Sequence, residues 1–134
     1  MPPARTAFPE DRAIIHNRVQ AIVEGIAATY GVTVDFIWED SAPAVINDPR
    51  WLALVASTAE SLGLTVTGPN ATLGGEDFSY YLDRAPGAFF RIGVGNKGRA
   101  MHGPTFYVKL DALADGADLL ATSVVNTLAA LGSD

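Results

Sequence analysis

The residues best suited to chemistry in this 134-residue chain lie in its second half. His102, one of two histidines, sits in the glycine-flanked loop Met101-His102-Gly103-Pro104, between an apolar run and a short extended piece. Loops of this kind bring side chains together over a cleft. An imidazole there suits a metal ligand or a proton carrier, although a loop histidine serves neither purpose more often than not. Gly74-Gly75-Glu76-Asp77 places two glycines before a helix start bearing two carboxylates. Free amides at such a start can hold a substrate carboxylate or an oxyanion. The same carboxylates can equally cap the helix while the glycines make the turn. Gly93-Val94-Gly95-Asn96-Lys97-Gly98 is a literal G-x-G-x-x-G. Dinucleotide binding needs a helix opening from that turn, and Gly103-Pro104 blocks one, so the match reads as accidental. Asn70-Ala71-Thr72 fits a glycosylation acceptor, which matters only in a secreted chain.

Other chemistries are excluded more directly. There is no cysteine, hence no disulfide framework and no thiolate nucleophile. No G-x-S-x-G elbow marks a serine hydrolase, and no H-E-x-x-H or second nearby histidine completes a zinc site. Nine Lys and Arg against fifteen Asp and Glu leave a net charge of −6, which disfavours nucleic acid and anionic membranes as partners. No apolar run approaches the roughly 20 residues of a membrane helix, and the N-terminus lacks the apolar stretch of a signal peptide. A cytoplasmic protein is the expectation.

The elements that must position these residues alternate between helix and strand. Residues 9–30 predict an amphipathic helix with Ile15, Val19, Ile22, Ile26 and Tyr30 on one stripe, Pro9 in its first turn and Gly31 as its stop. His16, beside that stripe, reads as a solvated flank. Val32, Val34, Phe36 and Trp38 alternate as in a half-buried strand. Asp48 and Pro49 begin a second helix with Leu52, Val55, Ala59 and Leu62 inward, closed by Gly63. Short strands follow at 64–67 and 88–94, with a brief helix from 76 to about 84 between them and an extended piece at 106–108. Asp111 is expected to cap a last helix whose apolar stripe is Leu113, Ala117, Leu120, Val124, Leu128 and Leu131. The pattern predicts an α/β class.

Several strings in fixed order resemble one family. They are Gly74-Gly-Glu-Asp-Phe-Ser-Tyr-Tyr-Leu82, Ala85-Pro-Gly-Ala-Phe-Phe-Arg-Ile-Gly-Val-Gly-Asn96 and Met101-His-Gly-Pro-Thr-Phe106. Earlier in the chain stand Arg5-Thr-Ala-Phe-Pro-Glu10, Val23-Glu-Gly-Ile-Ala-Ala-Thr-Tyr-Gly31 and Pro43-Ala-Val-Ile-Asn-Asp-Pro49. Together they resemble the zinc-dependent aminoacylases, the amidohydrolases that include hippurate hydrolases and N-acyl-amino-acid deacylases and are related to glutamate carboxypeptidases. The resemblance covers essentially the whole chain.

The resemblance implies a C-terminal part only. Residues 1–42 would be a helix–strand remnant of the inserted α+β lid, or dimerisation, domain, and residues 43–134 the C-terminal part of the catalytic α/β domain. In such enzymes two divalent metals, zinc or else manganese or cobalt, are held mostly by residues ahead of the lid, which also supply the general base. Here the resemblance implies one ligand, His102, no catalytic residue of its own, and no metal necessarily bound by this chain alone. Gly74 and Gly75 would line the substrate's carboxylate end, Glu76 and Asp77 would hold that turn, and Asn47 would be a further substrate-side residue, with Arg5 a remoter one. The implied substrate is a small N-acyl amino acid. The implied partner is the missing N-terminal portion or a second copy of the chain. Two departures stand out: Glu39-Asp40-Ser41-Ala42 is acidic where relatives often carry Arg-Gly, and Phe106-Tyr-Val-Lys-Leu110 replaces an acidic stretch. The alternative is a non-catalytic remnant acting as a dimerising interaction module.

Overall fold

The computed structural model describes residues 6, 8–39, 41–68, 72–95 and 98–133; Arg5, Asp40, Asn70, Ala71, Asn96 and Lys97 lie outside them. The helices are α1 (Pro9–Tyr30), α2 (Pro49–Ser61), α3 (Ser79–Leu82) and α4 (Leu110–Leu131). Two compact units emerge: Met1–Ile46 with Asn70–Ala85, and Asn47–Pro69 with Pro86–Asp134.

In the first unit α1 obeys its sequence signals. Glu10 and Asp11 occupy the first turn, where the helix end is positive, and Gly31 takes the left-handed conformation at φ 64°, ψ 33°. The Val32 amide then donates to the Ala27 carbonyl at 3.0 Å and closes the last turn. The stripe is covered only in its first half: Ile15 and Val19 are half-buried, while Ile22, Ile26 and Tyr30 are exposed. His16 departs from the expected solvated flank. Its ring stands edge-on to Trp38 at 5.0 Å and tilted to Phe36 at 5.8 Å, so it pins the 36–38 segment onto α1. Arg12 adds a guanidinium donation to the Ser41 carbonyl.

In the second unit Asp48 caps α2 as expected, its carboxylate accepting from the Arg50 amide at 2.9 Å and the Trp51 amide at 3.3 Å. α2 packs against α4. Asn126 on α4 donates to the Thr58 hydroxyl at 2.9 Å, which in turn donates to the Leu54 carbonyl at 2.8 Å. Leu119, 3% exposed, and Ala59, 6% exposed, fill the centre.

Two expectations about α4 are corrected. Lys109, not Asp111, precedes the helix, and Asp111 lies in the first turn. The covered face is also the other one: Ala112, Gly116, Leu119 and Ser123 turn inward, whereas Leu113, Leu120, Val124, Leu128 and Leu131 are all exposed. At Gly116 a Cβ would stand in ordinary van der Waals contact with Ile92, at 3.5 Å. Ser123 is 6% exposed and its hydroxyl has no hydrogen-bond partner. An unpaired buried hydroxyl costs stability, so Ser123→Ala is expected to be neutral or to stabilise by up to about 1 kcal/mol, read from the urea midpoint.

The α/β expectation is met for the helices and corrected for the sheet. Among the described residues no strand forms at 32–38, 64–67, 88–94 or 106–108. Period-two alternation reports which face of a segment is apolar, but a strand exists only when a neighbour completes its ladder. The nearest approach to a ladder is at 47–48, where the Asp48 amide donates to the Gly87 carbonyl at 2.9 Å. The expected helix at 76–84 shrinks to the single turn of α3, flanked by turns at 77–78 and 83–84.

Candidate functional site

His102 is exposed, in a series of turns at 101–105 that runs from the apolar segment 88–94 toward α4. The Gly103 amide donates to the Ala100 carbonyl at 2.9 Å and the Phe106 amide to the Gly103 carbonyl at 3.1 Å. Arg99 spans this loop: its Nη1 donates to the Thr105 carbonyl at 2.8 Å, and its guanidinium lies 4.8 Å from the Tyr107 ring centroid. No described residue hydrogen-bonds the His102 ring, which leaves both nitrogens available to a ligand. Gly95 and Gly98 have φ of 67° and 75°, and among the described residues no helix opens between them and Leu110. At Gly95 the stem of Lys109 lies 3.0 Å from where a Cβ would stand, so both conformation and packing favour glycine.

Asn47 belongs to the same unit as His102. Its amide nitrogen donates to the Phe89 carbonyl at 3.0 Å and its amide oxygen accepts from the Phe89 amide at 2.8 Å. The side chain thus substitutes for a ladder partner and ties the start of α2 to the 88–94 segment. One N–H and one lone pair of the amide remain for another group.

Gly74 and Gly75 fall in the first unit. Neither has positive φ, and a Cβ on Gly74 would meet the Thr72 hydroxyl at 3.4 Å. Several amides in the turn after them are engaged. Those of Ser79, Tyr80 and Tyr81 donate to the carbonyls of Glu76, Asp77 and Phe78 at 3.0–3.1 Å, and the Glu76 carboxylate accepts from the Phe78 amide at 3.4 Å. The Ser79 hydroxyl, on a fully buried residue, donates to the Glu76 carbonyl at 2.6 Å. Glu76 therefore shapes this turn. A hollow of about 490 Å³ elsewhere in this unit is lined by Arg12, Pro43, Ile46 and Asp83 among others, and none of the four predicted residues lines it.

A catalytic zinc needs about three protein donors. Among the described residues no three His, Cys, Asp or Glu side chains come together in that way. His102 fits one coordination position. The other donors would have to come from elsewhere.

Comparison with known proteins decides the kinship. Residues 8–126 match the family model described as Peptidase family M20/M25/M40. The chain belongs to this family. Among its M20 relatives, N-acetylcysteine deacetylase of Bacillus subtilis (strain 168) is 32% identical over 124 residues, which covers 92% of this chain and 32% of the relative. The putative amidohydrolase YhaA of the same organism is 30% identical over 129 residues, 91% of this chain and 32% of the relative. N-acetyldiaminopimelate deacetylase of Exiguobacterium sibiricum is 30% identical over 110 residues, 82% of this chain and 30% of the relative. The chain therefore spans about a third of the length of the curated M20 relatives it matches. No solved structure matches it. The resemblance read from the sequence strings holds at the family level, with deacetylases and amidohydrolases among the relatives.

Proposed function

We propose that the chain supplies the C-terminal part of a metal-dependent M20 amidohydrolase that cleaves the amide bond of N-acyl amino acids, and that alone it is inactive. The observation that carries this reading is the combination at His102: an exposed, unengaged imidazole in a braced loop, with no further donor set among the described residues. Residues 1–42 would derive from the lid and 43–134 from the catalytic α/β domain; the contact units divide the chain elsewhere and group 70–85 with the first part. The extended segments at 64–67 and 88–94 would become strands once neighbours complete their ladders.

Each residue's role follows from its setting. His102 would hold one metal position; a bound divalent ion would lower the pKa of water and polarise the amide carbonyl. Asn47 fixes the 88–94 segment through Phe89 and can turn its remaining N–H toward a substrate. Gly74 and Gly75 would let the substrate's carboxylate end approach the backbone, with Glu76 and Asp77 holding their turn. The metal would be zinc, or manganese or cobalt, since imidazole serves all three.

The partner would be a polypeptide equivalent to the N-terminal portion of the relatives. In support, Leu113, Leu120, Val124, Leu128 and Leu131 lie on one side of α4 and are 51–65% exposed. Covering five such half-exposed residues is worth on the order of 5 kcal/mol, as much as the net stability of a small domain. The competing reading, a non-catalytic module that dimerises, draws on the same face with a second copy as cover. A cytoplasmic location and a small-molecule substrate rather than nucleic acid or a membrane accord with the net charge of −6. No described helix is long and apolar enough to cross a membrane.

The test is hydrolysis of N-acetyl amino acids by the chain alone and after co-expression with the N-terminal portion of a deacetylase relative. Turnover only in the combination is expected. Full turnover by the chain alone would contradict the proposal, and a stable homodimer indifferent to the added portion would favour the dimerising module.

A further inference from the structure

We infer that the segment 88–94 is a docking edge for one extended strand of the partner polypeptide, which adds along the main chain of Ala88, Phe90, Ile92 and Val94. The inference rests on the reading of this chain as the C-terminal part of a larger assembly. The chain matches 32% of the length of N-acetylcysteine deacetylase, so a polypeptide long enough to supply such a strand has a counterpart in the relatives.

In an extended segment the N–H and C=O of one residue point to the same edge, and those of its neighbours to the opposite edge. The contacts at 47–48 tell the two edges apart. Asn47 holds the Phe89 N–H at 2.8 Å and the Phe89 carbonyl at 3.0 Å, and the Asp48 amide donates to the Gly87 carbonyl at 2.9 Å. Gly87 and Phe89 therefore share one edge with Arg91 and Gly93, and residues 47–48 occupy its first half. The other edge belongs to Ala88, Phe90, Ile92 and Val94. Among the described residues no hydrogen bond reaches the main chain of these four.

All four are half-buried, whereas Arg91 and Gly93 are exposed. Ile92 faces α4, where its Cγ1 would lie 3.5 Å from a Cβ at Gly116. A half-buried donor or acceptor without a partner costs stability, and a row of them along an apolar segment is a template for a further strand. Main-chain bonds along that row would give affinity, and alternate apolar side chains set toward α4 would give specificity. The partner that fits is an extended, alternately apolar segment. Asn47 and Asp48 direct where it adds, because a strand on their side would meet them at Gly87 and Phe89.

The experiment measures amide exchange in the full chain, alone and joined to the N-terminal portion of a deacetylase relative, and follows turnover of N-acetyl amino acids in parallel. Amides of α2 and α4 report that the second unit stays folded. In the chain alone, Phe90, Ile92 and Val94 are expected to exchange fast. In the combination they are expected to slow by at least about 100-fold. That result supports the proposal whether or not Arg91 and Gly93 slow as well. Association and turnover with these three amides still fast, or with Arg91 and Gly93 alone slowed, would overturn the edge assignment and leave the functional reading standing. Neither association nor turnover would overturn the functional reading, and the docking with it. Slowing already present in the chain alone, and growing with its concentration, would assign the edge to a second copy and overturn the choice of occupant.

Discussion

Replacing Asn47 by alanine is expected to lower the stability of the second unit by about 2–3 kcal/mol, because two backbone groups of a half-buried residue lose a bidentate partner at once. The amide spans 42 positions of sequence to reach Phe89, so the loss would also free the 88–94 segment from the start of α2. Asn47→Asp should fare no better than alanine. A carboxylate keeps the acceptor for the Phe89 amide but sets a negative oxygen against the Phe89 carbonyl, where a donor now stands. Urea unfolding followed by circular dichroism gives the magnitude, and amide exchange at Phe89 locates it. A loss below about 0.5 kcal/mol would mean that the pairing contributes little and that the residue is spare for a ligand.

The second large effect concerns activity. In the combination of this chain with an N-terminal portion of a relative, His102→Ala is expected to reduce turnover of N-acetyl amino acids by at least about 100-fold, since one donor of a small donor set cannot be lost without disturbing the ion that activates water. His16→Ala serves as the contrast. It removes the ring that touches Phe36 and Trp38, and so should affect the first unit's stability while leaving turnover within about twofold.

The sequence was most informative where structure is local. α1 begins and ends where Pro9 and Gly31 indicate, and Asp48 caps α2, because caps and stops act through a few neighbouring backbone groups. Strands depend on a partner distant in sequence, so alternation at 32–38 and an apolar run at 88–94 marked segments that form no strand among the described residues. α4 has two usable faces. Periodicity selected the one with the larger side chains, whereas the covered face is that of Ala112, Gly116, Leu119 and Ser123. His16 read as a solvated flank because nothing in its own neighbourhood announces Phe36 and Trp38 twenty residues on, and its ring contacts with both depend on that distant segment.

At the site, the residue types alone left His102 an ordinary loop histidine, and the family strings around it gave it a role. The structure adds its exposure, its unengaged ring and the brace at Arg99. Asn47 was named for the substrate, and its grip on Phe89 had no signal in the sequence.

The most direct test is the metal content, by elemental analysis, of four preparations purified in zinc-containing buffer: the chain alone, its His102→Ala variant, and each of these joined to the N-terminal portion of a relative. The expected result is little retained zinc on the chain alone, stoichiometric zinc on the wild-type combination, and a clear loss of zinc when His102 is alanine. Equal zinc in the wild-type and His102→Ala combinations would contradict the claim that this histidine is the chain's contribution to the metal site.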